Sequence, residues 1–183
     1  MSRINAGTGE ASSFTTVWDL FVRVFHWSVA VTFGAAYASS DDGGTVHHIL
    51  GYAVLALVAL RIAWGFVGSY HARFANFVPS PRRFAKYTRE MLAGRERRYL
   101  GHNPAGGAMI IALLVLLTAT GGTGWLLTTN AFWGSEAVEA LHEACANAVL
   151  VCVALHVGGV LLASWRHREN LVSAMLTGRK RND

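Results

Sequence analysis

The run "LHEACANAVLVCVALHVGG", residues 141–159, is apolar enough to dissolve in lipid, yet it carries His142 and His156. Its length and composition extend through Trp165 and make a membrane-spanning helix of about 20 residues or more. Three other stretches share this character. Spans are expected at about 18–38, 46–68, 105–128 and 140–165. A soluble four-helix bundle would need polar outer faces, and the third and fourth stretches have almost none. The fold class is therefore all-α, an integral membrane four-helix bundle.

Composition agrees. The 183-residue chain is 52% hydrophobic and 15% charged, with a formal net charge of +5. That excess of base does not point to nucleic acid, because it is segregated along the chain. No Lys or Arg lies between Arg23 and Arg61, or between Arg98 and Arg166. The connection after the second span holds Arg73, Arg82, Arg83, Lys86, Arg89, Arg95, Arg97 and Arg98, and the C-terminus adds Arg166, Arg168, Arg179, Lys180 and Arg181. The other two connections carry Asp41, Asp42, Glu136 and Glu139 and no base. Basic loops stay on the cytoplasmic side, so both termini are expected in the cytoplasm and the acidic loops in the periplasm of a bacterial inner-membrane protein.

Residues 1–16 are polar and read as a short disordered lead rather than a signal peptide, with the membrane domain over 17–183. Within the long basic connection, a helix is expected at about 81–93. Ser80 would cap it, Pro81 would start it and Gly94 would stop it. Its Phe84, Tyr87 and Met91 side would lie on the headgroup surface. Cys145 and Cys152 fall about 10 Å apart on one helix, too far for a disulfide within it, and pack as small apolar groups. The absence of a C-x-x-C-H motif excludes covalent c-type haem.

Of the eight histidines, His71, His102 and His167 lie in basic stretches and are expected to be solvated or at headgroups. The rest belong to spans, where ionisable groups are costly and usually functional. At a helical rise of about 1.5 Å per residue, His26 lies about 12 Å inside the basic end, and His156 about 13 Å inside it. His47 and His142 both open their spans at the acidic end. On the fourth span the two imidazoles share a face, about 21 Å apart. Two pairs at two depths suit two stacked haems, each iron held by two imidazoles between helices. A zinc site would gather its ligands in one place. The bland alternative is that each is a hydrogen-bonding histidine between helices. His48 competes with His47, since neighbours on a helix differ by about 100° and only one can point inward. His47 is favoured because Gly51 follows one turn later, leaving room for a flat ring. Arg23 and Arg61 are placed to meet haem propionates or to snorkel to the surface. Gly121, Gly122 and Gly124 permit close approach of a helix, the favoured use, or of a ring edge.

The segments "VWDLFVRVFHW", "HHILGYAVLALVALRIAWGFVGSYHARF", "RYLGHNPAGGAMI" and "LHEACANAVLVCVALHVGGVLLASWRHRENLVSAM" resemble the prokaryotic cytochrome b561 family. The likeness is greatest to its branch related to the b-type cytochrome subunit of nickel–iron hydrogenases, and it runs from Val17 to Lys180. The resemblance implies two non-covalent haems b, with His26 and His156 as iron ligands on the cytoplasmic side and His47 and His142 on the periplasmic side. His48 departs from the acidic or polar residue usual after the second-span ligand.

The resemblance further implies electron transfer between the membrane quinone pool and a periplasmic redox partner: a c-type cytochrome, a hydrogenase or a dehydrogenase. The acidic residues Asp41, Asp42, Glu136, Glu139 and Glu143 would steer a basic partner. A superoxide oxidase acting at the periplasmic haem is the alternative, disfavoured because an acidic face repels an anionic substrate. A transporter using membrane histidines as a proton relay is disfavoured because no proline breaks a span. No nucleotide-binding fingerprint is present, so NAD(P)H is not expected as a direct donor.

Overall fold

A computed structural model describes residues 14–40 and 44–182. Its elements, in chain order, are β1 (Phe14–Thr16), α1 (Leu20–Ala38), α2 (Thr45–Val67), α3 (Phe74–Phe77), α4 (Pro81–Leu92), α5 (Pro104–Leu127), α6 (Glu136–Arg166), α7 (Leu171–Thr177) and β2 (Arg179–Arg181). Four of them, α1, α2, α5 and α6, are long and apolar enough to cross a membrane. Asp41 and Asp42 lie outside the described residues.

Local chemistry sets the helix ends. Asp19 caps α1 by accepting from the Val22 N–H at 2.8 Å. Asn103 caps α5 through the Gly106 N–H at 2.7 Å, with Pro104 at its first position. Ser80 and Pro81 do the same for α4. Helix α6 begins a turn earlier than its apolar run, because Glu136 and Glu139 in its first turn and Arg166 in its last complement the helix dipole.

Packing follows the hairpins: α1 lies on α2, α5 on α6, and α2 joins the two pairs through α5. The core is made by Val54 and Val58 of α2, Leu114 and Leu117 of α5, and Val149 of α6, flanked by Phe25, Val29 and Phe33 of α1. A Cβ on Gly121 would lie 2.5 Å from the Leu55 side chain, so this glycine serves helix packing between α5 and α2. Val149 is the sole buried residue of α6. The exposed Val151, Leu155, Val157 and Leu161 beside it have no soluble rationale; they face lipid, as hydrocarbon-facing surfaces do.

The run expected to be a disordered lead through residue 16 includes an ordered strand. Phe14–Thr16 pairs antiparallel with Arg179–Arg181, Phe14 opposite Arg181. The remainder of that lead lies outside the described residues. The partner strand is at the far end of the chain, so no local pattern announces the pairing. It brings both ends of the described chain to the end of the bundle where α1 starts and α6 finishes, here called the basic end. Val17 and Trp18 pack there on Ala174 and Met175.

Candidate functional site

Four imidazoles meet in two couples. At the basic end, His26 of α1 and His156 of α6 have ring centroids 6.2 Å apart. At the opposite, acidic end, His47 of α2 and His142 of α6 are 6.0 Å apart. In each case the rings approach from helices that pack chiefly against other partners. His48 is exposed, while His47 is half-buried toward the couple. Among the described residues, no group of three or more His, Cys, Asp or Glu side chains converges as a cage for an ion.

The hydrogen bonds fix the tautomers at the acidic end. His47 Nδ1 lies 2.9 Å from the Ala36 carbonyl, and His142 Nδ1 lies 2.9 Å from the Thr120 carbonyl. A carbonyl only accepts, so each Nδ1 carries the hydrogen and each Nε2 keeps a free lone pair. The Thr123 hydroxyl stands 3.2 Å from the same His142 nitrogen. Gly124 lies beside this ring: a Cβ there would sit 3.0 Å from His142 Cε1. A Cβ on Gly51 would meet nothing within 4 Å, so the space one turn beyond His47 is open. The basic-end couple differs: His26 Nδ1 is buried without a hydrogen-bond partner.

Both arginines have mixed surroundings. Arg61 is 3% exposed. Its guanidinium lies 5.4 and 5.9 Å from the Phe74 and Phe77 ring centroids. Its Nη2 donates to the Ala72 carbonyl at 3.1 Å, and Nη1 is buried without a partner. It does not snorkel. Arg23 donates from Nη2 to the Leu176 carbonyl, tying α1 to α7, and its Nε is buried without a partner.

Sequence reasoning missed the polar cluster beneath the basic-end couple. His102, expected to be solvated, is wedged between Trp18 and Phe77, with ring centroids 4.5 and 4.8 Å away. Burial, helped by the charges of Arg61, His71 and Lys180, pushes its imidazole down to about 3. With His71, Tyr70, Arg83 and Tyr99 it lines a pocket of about 160 Å³. Nearby, Arg98 makes a two-pronged pair with Glu169, at 3.0 and 3.4 Å. Lys180, 5% exposed, lies 3.4 Å from the same carboxylate and donates to the Tyr99 carbonyl at 2.9 Å. Burial opposes ionisation of Glu169, but Arg98 and Lys180 outweigh it and hold the carboxyl below its ordinary range. Arg166 donates to Glu96 and to the Met91 carbonyl, both at 2.7 Å. The signal available in sequence was slight: His102 abuts the Asn103-Pro104 helix start and lies four residues past Arg98, inside the long stretch free of Lys and Arg.

Among known families, the model of prokaryotic cytochrome b561 matches residues 17–178. The chain belongs to the prokaryotic cytochrome b561 family. It is 26% identical over 210 residues to a probable Ni/Fe-hydrogenase B-type cytochrome subunit of Rhodobacter capsulatus, covering 90% of this chain and 80% of that protein. The proteins of that description from Rhizobium leguminosarum bv. viciae (22% identity; 90% and 87% covered) and Bradyrhizobium diazoefficiens (26%; 90% and 85%) are similarly related. No solved structure matches. A member of this family is a multi-pass bacterial membrane protein and a b-type cytochrome: its cofactor is haem b, and its work is electron transfer in the membrane.

Proposed function

We propose that the cytochrome holds two haems b, one between His26 and His156 and one between His47 and His142, and passes electrons between a periplasmic redox protein and the quinone pool. The observation that carries this reading is the spacing of the couples, 6.2 and 6.0 Å. An iron with an imidazole on each side needs ring centres about 6 Å apart, from a metal–nitrogen bond of about 2.0 Å and about 1.1 Å from nitrogen to ring centre. The free Nε2 positions of His47 and His142 match that demand, and the open space at Gly51 suits a ring edge.

Haem b supplies a one-electron iron couple, and two of them store the two electrons a quinone takes. The protein's own part is to orient imidazoles, exclude water and set charge. The Nδ1–H bonds to Ala36 and Thr120 hold the acidic-end rings. The unpartnered Nη1 of Arg61 and Nε of Arg23 are donors suited to propionates at the basic-end haem. The basic end faces the cytoplasm; there α4 turns Tyr87, expected at the headgroups, into the protein against Tyr99, and leaves Phe84 exposed. Glu136, Glu139 and Glu143 are exposed at the other end and face a periplasmic partner. A hydrogenase is the favoured partner, because the relatives bear that description; a c-type cytochrome or dehydrogenase would fit the same surface.

Protein reduced with dithionite in nanodiscs tests the reading. Decylubiquinone is expected to reoxidise both haems, seen as loss of the reduced α-band. Rapid reduction of the haems by superoxide, with the electrons passed on to decylubiquinone, would overturn it in favour of a superoxide oxidase; haems that decylubiquinone does not reoxidise would overturn the quinone link.

A further inference from the structure

The basic end of the bundle holds more positive charge than its own carboxylates neutralise. Among the described residues those carboxylates are already engaged. Asp19 accepts from Ser69 and from Trp64 Nε1, Glu90 faces Lys86, Glu96 holds Arg166, and Glu169 holds Arg98 and Lys180. No carboxylate among the described residues lies within ion-pair reach of Arg82, Arg83, Arg89, Arg95 or Arg97. Free arginines on a surface are commonly solvated, but Arg83 differs from the others. It lines the pocket of about 160 Å³ with Tyr70, His71, Tyr99 and His102. No Asp or Glu lines that pocket. His102 Nδ1 is buried without a partner, which costs free energy until a ligand supplies one. A Cβ on Gly101 would come 2.7 Å from His71 Nδ1, so the wall closes on that imidazole because residue 101 lacks a side chain.

A second opening adjoins the first across α3. Phe77 of this single turn lines the pocket, and Phe74 lines a groove of about 400 Å³ between α2 and α5. The two rings are 5.7 Å apart. Ile62, Ile111, Leu114, Val115 and Ala119 complete the groove with Thr118, whose hydroxyl is engaged by the Leu114 carbonyl at 2.7 Å. An occupant therefore meets hydrocarbon there. At about 1.5 Å per residue, the groove runs about 12 Å along α5 from Ile111 to Ala119, within the depth of about 15 Å of one leaflet's hydrocarbon. Pro104 lines the pocket, about 10 Å before Ile111 on the same helix. None of His26, His47, His142, His156, Arg23 or Arg61 lines either opening, so neither belongs to the imidazole couples.

We propose that pocket and groove form one site for an anionic phospholipid of the leaflet at the basic end. Its phosphate sits on Arg83 in the pocket, its glycerol crosses α3, and one acyl chain fills the groove between α2 and α5. A guanidinium offers paired donors to phosphate oxygens, and basic pockets among membrane helices suit acidic headgroups. A zwitterionic lipid would bring a cation against the same arginines. A quinone also has a head and a tail, but its carbonyls carry no charge to answer Arg83. The bound lipid would fasten the long basic connection to the bundle. The site is independent of the number of haems, so its test does not share the fate of that reading.

Native mass spectrometry of the full-length, haem-loaded protein tests the site, after delipidation in dodecyl maltoside and titration with dioleoyl phosphatidylglycerol. One phosphatidylglycerol per chain is expected to bind ahead of further adducts, and dioleoyl phosphatidylcholine at least about tenfold more weakly. Arg83→Gln removes charge-assisted hydrogen bonds and is expected to weaken phosphatidylglycerol about tenfold or more. Val115→Trp, at a position 61% exposed to lipid, fills the groove and is expected to weaken it similarly. Arg95→Gln removes an equally free charge outside the pocket and is expected to change nothing. Should Arg83→Gln fail to hold haem, the comparison of lipids in wild type and the Val115→Trp variant still decide. Equal binding of the two lipids, or an Arg95→Gln effect as large as that of Arg83→Gln, would overturn the proposal in favour of an unspecific basic surface. Inorganic phosphate that displaces the lipid, with Val115→Trp silent, would overturn it in favour of a free anion. Decylubiquinone that displaces phosphatidylglycerol at lower concentration than the lipid itself would overturn it in favour of a quinone.

Discussion

Acidification should expose His102. Its ring lies between Trp18 and Phe77, and burial pushes its pKa down from 6.5 to about 3. The unfolded chain binds a proton there as pH drops through 6.5; the folded chain does not until about pH 3. The unfolded state therefore binds more protons across that window, and stability falls with falling pH. At pH 5 the loss relative to pH 7 amounts to about 2 kcal/mol. Carboxylates with ordinary unfolded values near 4 contribute little before pH 5, so the difference between wild type and a His102→Phe variant isolates this ring. Phe keeps a flat ring between Trp18 and Phe77 and removes the titration. Denaturant unfolding in mixed micelles at pH 7 and pH 5 gives the four free energies required. Wild type should lose about 2 kcal/mol more than the variant between the two values. Equal losses in both proteins would show that His102 titrates normally, and the wedge between Trp18 and Phe77 would not be the environment argued for it.

Two other perturbations probe the cap and the cradle. Glu169→Gln leaves Arg98 and Lys180 without their shared carboxylate; breaking a buried pair costs about 3–5 kcal/mol, so the thermal midpoint in detergent should drop by several degrees, and an unchanged midpoint would mean the cluster is solvated. Gly51→Phe fills the open space beside His47 and should eliminate the haem at that level while sparing the other, read from pyridine haemochrome content against protein; full haem content would place Gly51 toward lipid instead.

The bundle was legible because lipid imposes a simple code: apolar runs of bilayer length, with base confined to alternate connections. Helical periodicity then placed His142 and His156 on one face, and the depth of His26 and His47 matched each to a partner lying beside it in the structure. The polar cluster at the basic end was not legible. Lys180 with Tyr99, Arg98 with Glu169, and Arg166 with Glu96 are contacts across about seventy residues or more. Basic residues that mark topology in sequence therefore look solvated, although Lys180 is buried. The β1–β2 pairing hides for the same reason. Arg61 had two readings, surface or propionate, and its burial between Phe74 and Phe77 removes the first. The Nδ1 bonds of His47 and His142 end on backbone carbonyls, which carry no residue signature.

Haem stoichiometry with ligand deletions bears most directly on the central claim. Protein expressed with ample haem should carry two haems b per chain, both low-spin. His26→Ala and His142→Ala should each retain one, and His48→Ala should retain both. A single haem in the wild type, or loss of haem on replacing His48 but not His47, would contradict the account.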